Sequence, residues 1–206
     1  MNRETTEATD TTDAVDTPRI RPVASDDWDA ITALESRAYA ALGLSEEPAA
    51  LASRAHASPG TCFALDLHRR LAGYLLALPY PAFHYPDLTR PERPPLPSRN
   101  LHLHDLVIAE PLRRRGLARH LLRHLTTTAT LTGYERISLI AVAGSDPFWT
   151  ANGFHAHPGV VAPDEYGPHA VYMSRPLPTP TAPHRRRVNA FDDDRHGHEA
   201  NLREGA

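Results

Sequence analysis

The chain has 206 residues, 41% of them apolar and 7% aromatic, and a formal charge of -3 at pH 7. That length and apolar content suffice for one core, so a single domain is expected, and the acidic balance argues against a general nucleic-acid binder. All 22 basic residues are arginines, which excludes chemistry that needs a Schiff-base or phosphate-gripping lysine, such as pyridoxal enzymes and Walker-type nucleotide hydrolases.

A lone cysteine, Cys62, allows no intramolecular disulfide and fits a reducing compartment. No apolar run reaches the ~18 residues of a membrane span, and the acidic, Thr-rich start lacks the apolar region of a signal peptide. A cytoplasmic protein without membrane association is therefore expected.

Residues 1–17 carry acidic charge and almost nothing to bury, so they read as a disordered tail. Arg19 to Val23 form a short strand. Ser25 then caps a helix through Trp28, Ile31, Leu34 and Tyr39, and a second helix spans Pro48 to Ala57. Thr61 to Leu67 and Leu71 to Leu78, separated by His68-Arg69-Arg70, read as a hairpin. From Pro79 to Asn100 the chain is proline-rich with interleaved aromatics. A loop of that length inside a compact domain is either a lid or binding loop, or plain solvated chain. On the first reading Tyr80, Phe83 and Tyr85 are candidate substrate contacts.

The stretch Leu101 to Ala129, LHLHDLVIAEPLRRRGLARHLLRHLTTTA, changes period midway. Alternation to Ile108 marks a strand; Leu117, Leu121, Leu122, Leu125 and Ala129 then recur at helical spacing, with the helix beginning near Arg115. Between them, Arg113-x-x-Gly116-x-Ala118 is a glycine-containing turn at a helix start, where free amides and the helix dipole receive phosphate. Arg136 to Val142 is a buried strand, and Ser145 to Asn152 a short helix with Pro147 in its first turn and Gly153 at its end. Phe154 opens a further strand region, and Ala170 to Ser174 is the last strand. Residues 178–206 read as a second disordered tail, with Arg185-Arg186-Arg187 as solvated charge. The order implies an α/β (α+β) domain over residues 18–177 with a mixed central sheet flanked by helices.

The turn lacks the three spaced glycines of a dinucleotide fingerprint and the lysine of a P-loop. Strand-end Val107-Ile108, then Ala-Glu-Pro-Leu, then Arg-x-x-Gly-x-Ala closely resembles the GNAT superfamily of acetyl-CoA-dependent N-acetyltransferases. Pro147 to Phe154, PFWTANGF, is similar to that family's second signature. The resemblance implies acetyl-CoA as cofactor, strands that splay at its site, and transfer by direct attack of a primary amine of a small molecule in a ternary complex, with a homodimer left open. It further implies that Arg113, Arg114, Arg115, Gly116, Leu117, Ala118 and Arg119 surround the pyrophosphate. Leu106, Val107 and Ile108 would align the pantetheine arm and polarise the thioester carbonyl, beside Phe148 and Trp149.

His102 and His104 alternate with Leu101 and Leu103, so both imidazoles leave one strand face. Their ordinary pKa suits a base at cellular pH, and LHLHDLVI resembles the serotonin N-acetyltransferase branch, which implies a proton route through His104 with His102. Trp149 stands where many relatives carry a tyrosine acid, which leaves Tyr166 or Tyr172 as candidates, or departure of the thiolate unprotonated. Cys62 reads as a buried strand residue, and direct transfer needs no acyl-enzyme. Three other readings remain: a metalloprotein using His-x-His as a ligand pair, although no spacing supplies further ligands; a non-catalytic sensor that binds an acyl-CoA or other ligand on the same fold; and a nucleic-acid role through the arginine turn, against which the acidic balance counts.

Overall fold

In the computed structural model, residues 17–92, 97–162 and 165–178 are described. The two expected tails, apart from Thr17 and Pro178, lie outside those residues, as does Arg185-Arg186-Arg187.

The elements run β1 Arg19–Pro22, α1 Trp28–Tyr39, α2 Pro48–Ala57, β2 Phe63–Leu67, β3 Arg70–Pro79 and β4 Asn100–Ile108. There follow α3 Leu117–Leu131, β5 Arg136–Ala141, α4 Asp146–Thr150, β6 His155–His157 and β7 Val171–Pro176. The seven strands form one sheet in the order β1-β2-β3-β4-β5-β7-β6. Every pairing is antiparallel except β4 with β5, which α3 connects as a crossover. The expected mixed sheet flanked by helices is thus the fold.

Helix boundaries follow local chemistry. The first turn after β1 is a 3-10 turn, Ser25–Asp27, and its cap is not Ser25. The Asp27 carboxylate accepts the Ala24 amide at 2.7 Å, while the Ser25 hydroxyl turns to Asp26. Arg21 explains the difference: its guanidinium grips Asp27 at 2.6 and 2.8 Å and Asp66 at 2.7 Å, which draws Asp27 inward and joins β1, β2 and the start of α1. Helix α3 begins at Leu117, two residues later than expected, because Gly116 adopts φ +80°, outside helical space.

The sheet buries both faces. On one side the α3 stripe of Leu117, Leu121, Leu122, Leu125 and Ala129 packs on Leu101, Leu103, Ile108, Ile137 and Leu139, with Trp149 and Phe154 closing the layer. On the other, Ile31 and Leu34 of α1 and Leu51 and Ala55 of α2 cover Tyr74, Leu76 and Val107. Strand β4 serves both layers through a bulge: Leu76 pairs with Asp105 and Ala77 with Leu103, so His104 has no partner in the register. Strict alternation would put Asp105 and Val107 on the α3 side with Leu101 and Leu103. The extra residue turns both toward α1 and α2, and brings Leu106 and Ile108 to α3.

Candidate active site

The two central strands part company. β4 and β5 pair at Asn100–Arg136, Leu101–Ile137 and His102–Ser138, and their pairing ends there. On its other edge β4 stays joined to β3 as far as Ile108 opposite Gly73. That approach needs glycine, since a Cβ at residue 73 would lie 2.6 Å from Val107 O and from Ile108 Cδ1. A groove of about 690 Å³ occupies the opening, walled by Leu106, Val107 and Ile108 on one side and Leu139, Ile140 and Val142 on the other. That volume lies within the range of small-molecule sites.

At one end of the groove the chain leaves β4 through a 3-10 turn, Glu110–Leu112, and turns sharply with Arg114 at φ 63° and Gly116 at φ 80°. The first helical bond of α3 runs from the His120 amide to Gly116 O, so the amides of Leu117, Ala118 and Arg119 precede the hydrogen-bond ladder. With the helix dipole behind them they form an anion cradle. Arg113 docks against the strand end through Nε to Ile108 O at 3.3 Å. Of the cofactor residues expected from sequence, Leu106, Val107, Ile108, Arg113, Arg114, Gly116, Leu117, Ala118, Arg119, Phe148 and Trp149 line the groove. Arg115 does not: it follows the left-handed Arg114 and is exposed outside the lining. Trp149 is held by packing on Phe154 and by Nε1 donating to Ser145 Oγ at 3.2 Å.

A second, small cavity of about 40 Å³ adjoins the groove, and Tyr39, His104, Ile140 and Val142 border both. His102 and His104 both reach it, their rings 6.5 Å apart, but they differ in partners and charge. His102 is fully enclosed; its Nδ1 bonds Ser138 Oγ at 3.1 Å, and burial, with the neighbouring His104 and Arg54 charges, holds it well below an ordinary histidine. His104 Nε2 bonds the Glu46 carboxylate, and its Nδ1 is buried without a partner. Burial disfavours its charged form, yet the charge and hydrogen bond of Glu46 outweigh this and raise its pKa. Glu46 is the mirror case: burial opposes its ionisation, and His104 and Arg54 overcome it to hold the carboxyl below its usual range.

Sequence reasoning missed Glu46, Glu35, Tyr39 and Asp105. Glu46 lies 58 residues from His104, in a connection with no periodicity to read. Asp105 did carry a signal: a carboxylate inside an apolar strand needs partners, and it has Tyr74 OH at 2.9 Å and Tyr39.

Three expectations do not match the geometry. Tyr172 lines neither cavity: β7 lies beyond β5, so its ring stacks on His102 at 6.4 Å and its hydroxyl accepts the Phe83 amide at 2.9 Å. Tyr166 lines the small cavity, but its hydroxyl donates to Pro86 O at 2.6 Å, and burial pushes it far above an ordinary phenol. Tyr80, Phe83 and Tyr85 line neither cavity. Tyr80 packs 6.1 Å from His102, Phe83 folds over His157 and Tyr172, and Tyr85 hydrogen bonds Glu165 at 2.5 Å. The proline-rich segment reaches the small cavity through Leu88 instead. Cys62 is a buried free thiol whose pKa burial raises to about 12, which makes it a poor acyl carrier. Among the described residues no group of three or more His, Cys, Asp or Glu is arranged to hold a metal ion, and no helix is long and apolar enough to cross a membrane.

No curated protein matches the chain in sequence. Solved structures do match in fold. The ribosomal-protein-S18-alanine N-acetyltransferase from Escherichia coli superposes with a TM-score of 0.59 at 17% identity, covering 82% of this chain and 98% of its own. N-acetylglutamate synthase from Neisseria gonorrhoeae, complexed with coenzyme A and N-acetyl-glutamate, gives 0.60 at 16%, covering 78% of this chain and 35% of its own. The GphF GNAT-like decarboxylase in complex with isobutyryl-CoA gives 0.61 at 20%, covering 78% of this chain and all of its own, 100%. At those identities the likeness is one of fold. Residues 28–154 match the family model described as acetyltransferase (GNAT) family.

Proposed function

Because the chain belongs to the acetyltransferase (GNAT) family and is therefore an acyltransferase, we propose that it moves the acetyl group of acetyl-CoA directly to a primary amine of a small molecule. The catalytic unit we assign is residues 18–177, in the cytoplasm. An anion cradle at the start of α3, a groove leading from it, and an imidazole at the groove's inner wall support this reading. The amides of Leu117 to Arg119 with Arg113, Arg114 and Arg119 would hold the pyrophosphate, and the Leu106 to Ile108 backbone would hold the arm and its acyl carbonyl. When bound, acetyl-CoA supplies an acyl group activated as a thioester.

One observation carries the base: His104 gives Nε2 to Glu46 and keeps Nδ1 buried and unpartnered where both cavities meet. With Nε2–H held by the carboxylate, the neutral imidazole carries its lone pair on Nδ1. An ammonium at that point loses one proton to Nδ1, and Glu46 then holds the imidazolium. The freed nitrogen pair forms the new C–N bond as the C–S bond breaks, the sulfur taking the bonding electrons, and the now cationic nitrogen releases its second proton to solvent to leave the neutral amide. Unlike the relay suggested by the likeness to the serotonin branch, the route assigns the orienting role to Glu46. His102, bonded to Ser138 and held neutral, shapes the cavity. Tyr39, the one phenol lining the groove among the described residues, has its hydroxyl committed to Asp105 and is held well above an ordinary phenol by burial, so it does not replace the tyrosine absent at Trp149 and the thiolate departs unprotonated, which its modest basicity permits.

The test is His104→Gln, assayed by thiol release with an amine panel and by calorimetry with acetyl-CoA. Turnover should fall about 10²–10⁴-fold, with acetyl-CoA affinity within about twofold. In the wild type the rate should rise with pH along a limb above 6.5, because Glu46 raises the group that must be neutral. An unchanged rate in the variant, or a wild-type profile flat across that range, would remove His104 from the reaction. Acetyl-CoA bound without any thiol release would favour the sensor, for which the missing acid at Trp149 speaks.

A further inference from the structure

The small cavity is more acidic than deprotonation of an amine requires: three carboxyls line it, and of the two imidazoles in its wall only His104 is held above its ordinary pKa. Glu35, on α1, accepts the Ser45 hydroxyl at 2.6 Å and the Glu46 amide at 2.8 Å, both neutral donors. Asp105 accepts the hydroxyls of Tyr74 and Tyr39, again neutral. Burial raises both carboxyls above their ordinary range, against the neutral hydrogen bonds at each and the neighbouring His104 charge at Asp105. Glu46 is the third carboxylate of the lining, and it shares the Arg54 guanidinium with Glu92. Arg54 stands behind Glu46 and does not line the cavity; among the described residues the lining holds no arginine at all. Apart from the rings of His102, Tyr39 and Tyr166, the remaining wall is aliphatic, with Leu44, Leu88 and Val142.

Two further observations point to what enters. His104, its side chain 3% exposed, has Nδ1 unpartnered at this cavity, so a donor is missing from the site. The space, about 40 Å³, holds roughly three waters at ~10–15 Å³ each. It admits an aminomethyl head but no branched group.

Resting on the acetyl-transfer reading above, we propose that this cavity selects its acceptor as a slim aliphatic ammonium with no carboxylate on the carbon beside the nitrogen. The ammonium seats between Glu35, Asp105 and His104 Nδ1. An α-amino acid presenting the same nitrogen would carry its carboxylate into three others with no arginine to receive it, and is rejected by like charge.

The experiment pairs acceptors that differ only in the α-carboxylate: tyramine with tyrosine, agmatine with arginine, n-pentylamine with norleucine. Each is tested on the full chain by thiol release with acetyl-CoA and by calorimetric binding. The amine of each pair should be preferred about a hundredfold in kcat/KM, and Glu35→Gln should raise the amine KM about tenfold with a smaller change in kcat. Binding of the amines but not the amino acids, without turnover, upholds the cavity's selectivity and defeats the transfer reading. Equal use of amine and amino acid, or preference for the amino acid, defeats the selectivity and leaves transfer intact. The wild-type pairs decide this even if Glu35→Gln fails to fold, and absence of both binding and turnover overturns the proposal.

Discussion

Arg54→Met tests the electrostatic support beneath the site. Arg54 is a fully buried guanidinium on α2 that donates to Glu46 at 2.7 Å, to Glu92 at 2.6 Å and to Asp87 O at 2.8 Å. Methionine preserves most of the stem's packing but strands two carboxylates. Removing one partner of a buried ion pair costs about 3–5 kcal/mol. Glu46 is 3% exposed, but Glu92 is 14% exposed and can turn to water, so the lower end, about 3 kcal/mol, is expected. For a folded unit of this size that lowers Tm by about 6–12 °C, at roughly 2–4 °C per kcal/mol. A catalytic signature accompanies the loss. The Arg54 charge lowers the His104 pKa and draws on the same Glu46 carboxylate, so its removal raises His104. A base that must be neutral then works only at higher pH, and the acidic limb of the rate profile shifts upward. Thermal unfolding followed by circular dichroism and initial rates across pH read the two effects. Adding Glu92→Gln should recover part of the stability by removing one stranded charge. A Tm within about 2 °C of wild type, or a limb displaced to lower pH, would refute the reasoning.

Gly73→Ala should be destabilising by about 1–3 kcal/mol, because the new Cβ meets Val107 O, a backbone atom that cannot swing aside; chemical denaturation measures the loss, and acetyl-CoA affinity should fall with it as β4 shifts at the groove wall. His102 gives a pH test of stability. Its folded pKa lies below the unfolded 6.5, so below pH 6.5 the unfolded chain binds a proton that the folded chain refuses, and stability falls as pH drops. His104 has the opposite sign: its raised pKa contributes stability fully below 6.5, lost as pH rises through the folded value. His102→Asn should therefore flatten the acid side of the stability curve, and an unaltered acid slope would show that His102 is not the group responsible.

Local patterns were enough for most elements because their cause is local. The α3 stripe reads directly from a 3.6-residue period, and all five of its residues are buried. The groove's cradle reads from Gly116 after a run of arginines, because a positive φ and a helix start belong to neighbouring residues. The same limit explains the misreadings. Ser25 is a reasonable cap by type, yet Asp27 takes the role because Arg21 and Asp66 pull it there. Tyr80, Phe83 and Tyr85 are aromatic residues in a long loop, but where that loop lies is set by Arg54 and Glu92, and it offers Leu88 instead.

By itself, then, the sequence determined the order of strands and helices, the strand-to-helix junction and the histidine pair. Only the tertiary structure decided which partner each histidine has. The bulge at His104, the parting of β4 and β5 after His102, and the meeting of His104 with Glu46 across 58 residues depend on how separate elements pack. A hydrophobic period records which face of an element is buried, but not which distant charge will lie against it.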